Sequence, residues 1–77
     1  MSLNVPQTET EIRNEFSDRG NYFSFMCMVS QQKGTRHEAV TCEYARRVMI
    51  VLGYPIETAT WDNARTINYA QNIVMMG

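Results

Sequence analysis

TRHEAVTCEYARRVMIVLGYP, residues 35–55, decides the fold. Thr35 followed by Glu38 has the spacing of a capping box, in which each side chain bonds the other residue's backbone N–H. Beyond it, Val40, Tyr44, Val48, Val51 and Leu52 recur near one helical face, with Ala45 and Met49 flanking it. Gly53 stands where a left-handed C-terminal cap belongs, and Pro55 bars continuation. Start, period and stop agree on a helix over 36–52. Pairing of Glu43 with Arg46 or Arg47 adds only a few tenths of a kcal/mol.

Downstream, Thr58 or Thr60 offers a cap for a helix over 60–74. Trp61, Ala64, Ile67, Ala70 and Val74 form its apolar stripe, widened by Ile73. A connection of about five residues joins it to 36–52, and short connections give antiparallel neighbours. A C-terminal antiparallel helical hairpin is therefore expected.

Upstream the pattern is less uniform. Residues 1–7 read as an extended tail, because Pro6 pushes Val5 away from the helical region. Thr8 and Glu11 repeat the capping-box spacing, Ile12 and Phe16 share a face, and Gly20 marks a stop, so a helix is expected over 8–19. In 21–32, Tyr22, Phe25, Met26 and Val29 follow helical spacing, but Phe23, Cys27 and Met28 are apolar too. Aromatic enrichment suits a strand as well. A lone strand would leave its backbone groups unpaired, which favours a helix. The fold class is all-α: one domain, a bundle of three to four helices closed by the hairpin.

The chain has 77 residues, 44% of them apolar and 19% charged, with a net charge of -1. A domain of this size buries only about 60% of the surface its unfolded chain exposes, so its core is thin. The charge balance excludes a strongly basic nucleic-acid binder and a strongly acidic mimic. Two cysteines, Cys27 and Cys42, fall short of a disulfide scaffold. No apolar run reaches the 18 or so residues that span a bilayer, and the first eleven residues lack the basic-then-apolar order of a secretory signal. A soluble protein of the reducing cytoplasm is the expectation.

Signatures of chemistry are missing. A helical metal site needs ligands three or four apart, whereas His37 and Cys42 are five apart. That spacing turns them about 140° from each other, which also argues against a thiol–imidazole pair. The glycines at 20, 34, 53 and 77 form no phosphate cradle. Glu9 and Glu11 suit a helix N-terminus, where the dipole favours negative charge. The expectation is a non-enzyme with no cofactor and no metal.

Binding remains. Lys33, Arg36, Arg46, Arg47 and Arg65 concentrate positive charge mid-chain, and a helix pair can read DNA. They alternate with Glu38 and Glu43, and the joining loop is long for a helix-turn-helix. A helical DNA-binding regulator is thus the alternative reading. Six methionines point instead to a permissive protein-binding surface. Apolar side chains at helical spacing are usually core, but a helix apolar all round must be buried in something, and in a chain of 77 residues the expected cover is another chain. Tyr22, Phe23, Phe25, Met28, Met75 and Met76 are the protein-binding candidates. The expected function is a small interaction module that binds a larger protein, an inhibitor or regulator of the type small viral genomes encode. A self-associating structural subunit is the second alternative.

Overall fold

Thr8 and Glu11 form their capping box: the Thr8 hydroxyl accepts from the Glu11 N–H at 3.1 Å, and the Glu11 carboxylate accepts from the Thr8 N–H at 3.2 Å. They launch α1 (Glu9–Phe16) in the computed structural model, which describes residues 8–76. The expected tail over 1–7 lies outside those residues. α2 (Arg19–Ser30), α3 (Glu38–Val51) and α4 (Asn63–Met76) complete an all-helical bundle, with a 3-10 helix at Ile56–Thr60 between the last two.

The first helix stops earlier than 19, and Gly20 is not its stop. Asp18 caps α2, its carboxylate accepting from the N–H groups of Gly20 at 2.8 Å and Asn21 at 3.4 Å. Gly20 therefore sits inside the first turn of α2. A side-chain cap that satisfies two orphan donors outweighs the weak helix preference of one glycine. The ambiguous segment 21–32 is helical through Ser30.

α3 begins two residues later than expected. Thr35 Oγ1 accepts from the His37 N–H at 3.2 Å, and the Glu38 carboxylate accepts from the Gly34 N–H at 2.8 Å. The two side chains thus brace the turn ahead of the helix, and His37 holds the cap position without a side-chain bond. The C-terminal end follows the pattern. Tyr54 N–H donates to Met49 O and Gly53 N–H to Ile50 O, both at 3.0 Å, with Gly53 at φ +109°. These two bonds define a Schellman cap, which needs a residue at positive φ.

The buried face of α3 is Cys42, Ala45, Val48 and Met49, while Val40 is 61% exposed. Val40 lies about 160° around the helix from Cys42. Tyr44, Val51 and Leu52 are half-buried at the edge of that face.

The connection spans 52–62 rather than about five residues, and its 3-10 helix packs along α3. Asp62 caps α4, accepting from the Arg65 N–H at 2.7 Å. Neither threonine does so: Thr58 is buried in the 3-10 helix, and Thr60 donates to Glu57 O at 2.6 Å. Because the connection runs back along α3, the first turn of α4 lies beside the first turns of α3, so the two helices do not form the expected antiparallel hairpin. Asn63 meets Glu38, Cys42 and Arg46 there. In the α4 stripe Ile67 and Ala70 are buried, Ile73 and Val74 half-buried and Ala64 exposed, while half-buried Trp61 precedes the helix.

Two buried clusters make the core. Met26, Val29, Ala45, Met49 and Ala70 join α2, α3 and α4. Ile12, Phe16 and Val48 join α1 to α3. Tyr22 and Phe25 pack against both clusters, so α2 is the element that ties the bundle together.

Candidate functional site

α2 and α4 are the most extensively packed pair of helices. Their sequences share a property that apolar periodicity does not register. No Asp, Glu, Lys or Arg occurs from Gly20 to Gln32, and none from Thr66 to the end of the chain. All 7 basic and 8 acidic residues fall within 9–19 and 33–65. The two helices pack directly on each other, so the two uncharged stretches meet along their seam. Ser24, Asn68 and Asn72 are exposed polar residues of these two stretches, whereas Asn21 donates from Nδ2 to Glu15 O of α1 at 3.1 Å. Met75 and Met76, 83% and 86% exposed, lie at the end of α4.

The expected binding residues divide by burial. Tyr22, Phe25 and Met28 are half-buried and pack on the core. Phe25 lies 5.1 Å from Phe16 and 5.5 Å edge-on from Tyr44, between centroids. Phe23 is half-buried and belongs to neither cluster. The aromatic mass of α2 is thus partly scaffold, while Phe23, Met75 and Met76 have no assigned place in the two core clusters.

A chain of tyrosine hydroxyls links α2 to α4 through Tyr54. Tyr22 and Tyr54 hydroxyls are 3.3 Å apart, and Tyr54 and Tyr69 hydroxyls 2.6 Å. Trp61 packs on Tyr69 at 5.5 Å, and the Arg65 guanidinium lies 4.6 Å from the centroid of Trp61. Burial, reinforced by the hydrogen bond with Tyr54, pushes Tyr69 up to about 12. Burial also raises Tyr22 and Tyr54. All three phenols are neutral hydrogen-bonding groups at neutral pH, and they fasten α2, the end of α3 and α4 to one another.

The basic residues do not converge. Lys33 and Arg36 are exposed in the connection between α2 and α3, where Arg36 Nε donates to His37 Nε2 at 3.4 Å. Arg46 Nη1 donates to Asn63 Oδ1 at 3.1 Å and Thr66 Oγ1 at 3.2 Å, so it clamps α3 to α4. Arg47 joins Arg46, Glu9, Glu43 and Ile50 around an open groove of about 560 Å³, where both signs of charge meet. Arg65 is committed to Trp61.

Both cysteines are free thiols, Cys42 buried and Cys27 half-buried. Burial pushes the Cys42 thiol up, which keeps it protonated and poorly nucleophilic. Its Sγ donates to Asn63 O at 3.8 Å. Among the described residues no three His, Cys, Asp or Glu side chains gather into a metal-binding group, and no helix is long and apolar enough to cross a membrane. Comparison with protein-family models, curated proteins and solved structures finds no match to this chain.

Proposed function

We propose that this chain is a small non-enzymatic interaction module that works in the cytoplasm by covering a surface of a larger protein. Its role is that of an inhibitor or regulator, of the kind small viral genomes often encode.

The observation that carries the reading is the uncharged α2/α4 seam with Met75 and Met76 exposed at the end of α4. The centres of protein interfaces are depleted in charge and enriched in methionine and aromatic residues. Methionine side chains adapt to an irregular partner surface. Asparagine and serine supply hydrogen bonds without the desolvation cost of an ion. A module built this way acts by occlusion and needs no catalytic group. The nucleic-acid reading has weaker support, because Arg46 and Arg65 are occupied within the fold.

The test is paired affinity capture from the source cell, with the native chain and a Met75→Asp/Met76→Asp variant as baits. Circular dichroism of both baits checks that the fold is kept. The expected result is a protein retained by the native chain and lost by the variant. Equal retention by both baits, or recovery of nucleic acid alone, would count against the proposal.

A further inference from the structure

Met75 and Met76 stand apart from the other described methionines. They are 83% and 86% exposed, whereas Met26 and Met49 are 1% and 0% exposed and Met28 is half-buried against the core. A thioether open to solvent meets a small oxidant at every encounter, and a buried one meets it only when the fold opens locally. Hydroxyl and thiol chemistry is closed along α4. The Thr66 hydroxyl is buried and donates to Asp62 O at 2.9 Å, and the Tyr69 hydroxyl is held by that of Tyr54 at 2.6 Å. The helix contains no cysteine and no lysine.

We infer that Met75 and Met76 form a reversible oxidation site that switches docking by this chain off while leaving its fold intact. The inference rests on the interaction-module reading, because these two methionines are the contact that oxidation alters. In the forward step hydrogen peroxide transfers one oxygen to the methionine sulfur. Its O–O bond breaks, an S–O bond forms, the sulfur gives up two electrons and the peroxide leaves as water. Return to the thioether takes two electrons and two protons from a pair of thiols, which become a disulfide while the oxygen leaves as water. A sulfoxide is polar and accepts hydrogen bonds strongly. Covering it with an apolar partner surface strips its hydration and supplies no bond in exchange, which is unfavourable.

The fold is spared because the sulfurs that hold the core are out of reach. Met26 and Met49 share a buried cluster with Val29, Ala45 and Ala70. Neither Met75 nor Met76 belongs to that cluster or to the one around Ile12, Phe16 and Val48. Adjacent residues on a helix point about 100° apart, so the pair spreads its two sulfurs over a broad arc at the end of α4. Oxidation there changes the polarity of that whole end at once. The thiols lie elsewhere: Cys42 is buried on α3, and Cys27 is half-buried on α2.

Treatment of the full chain with hydrogen peroxide, followed by peptide mapping, reads the sites one by one. Met75 and Met76 are expected to react first, at least about tenfold faster than Met26, Met28 and Met49, with circular dichroism and the urea midpoint unchanged. Methionine sulfoxide reductases, one for each sulfoxide epimer, with a thiol reductant restore the native mass of 8.9 kDa. In affinity capture the oxidised bait loses the protein that the native bait retains, and the reductase-treated bait regains it. A Met75→Leu/Met76→Leu bait keeps the protein before and after peroxide, which separates oxidation of this pair from oxidation at Cys27 or elsewhere. Oxygen spread evenly over the methionines, loss of helix alongside oxidation of the pair, or undiminished capture by the oxidised bait overturns the inference. Undiminished capture by the oxidised bait, with the protein still lost by Met75→Asp/Met76→Asp, removes the switch and leaves the module reading standing. Capture by none of the baits defeats the module reading and the switch with it.

Discussion

The Tyr54 hydroxyl, just beyond the end of α3, lies 2.6 Å from the Tyr69 hydroxyl of α4. Through it the Schellman cap of α3 is tied to the helix that carries Met75 and Met76. Loss of this bond in Tyr69→Phe should cost about 1 kcal/mol, the net worth of a typical hydrogen bond. Urea unfolding at pH 7 measures it, and Tyr54→Phe in the same background should add little at this contact.

The same tyrosines set an alkaline limit. Tyr69 is raised from 10.0 to about 12, and Tyr22 and Tyr54 are raised too. Between pH 10 and 12 the unfolded chain gives up phenolic protons that the folded chain retains. Stability is therefore lost as pH rises through that window, and this linkage is silent below it. Absorbance of the phenolate against pH should show late, cooperative ionisation that coincides with loss of helix. Ionisation centred at 10 with the fold intact would contradict it.

Arg46 clamps α3 to α4 through Asn63 and Thr66. Arg46→Ala should destabilise by about 1 to 3 kcal/mol, because hydrogen bonds from a charged donor are stronger than neutral ones. A lower urea midpoint with an unchanged slope is the expected signature. Weakened nucleic-acid retention by this variant is evidence only after that loss of stability is accounted for.

Asp18 separates α1 from α2 by capping the second helix. Asp18→Ala should cost about 1 kcal/mol, and Asp18→Asn less, since asparagine also caps well. Thermal unfolding of the three chains gives the order.

The end of α3 was legible because Gly53 and Pro55 act locally, and the cap they announce depends on few distant contacts. The break at Asp18 was hidden because a glycine two residues later offered a more familiar stop. The buried face of α3 was misjudged for a physical reason. Large apolar residues dominate a periodicity search, whereas this face uses Cys42 and Ala45 to let neighbouring helices approach. Val40 follows the helical spacing of the apolar residues, yet it is exposed. The candidate surface was legible in part. Met75 and Met76 stand out as adjacent apolar residues beyond the regular stripe of α4. The uncharged seam stayed unseen because its signal is an absence of charge in two stretches far apart in sequence, and only the packing of α2 on α4 joins them.

The most direct test of the docking face is the affinity of the captured partner for this chain at low and high salt, beside that of the Met75→Asp/Met76→Asp variant. An uncharged face predicts less than about a threefold change between 50 and 500 mM salt, because there are few ion pairs to screen. It also predicts at least a tenfold loss in the variant with the fold retained. Affinity that falls steeply with salt, follows Lys33, Arg36 and Arg47 and ignores both methionines would contradict the account.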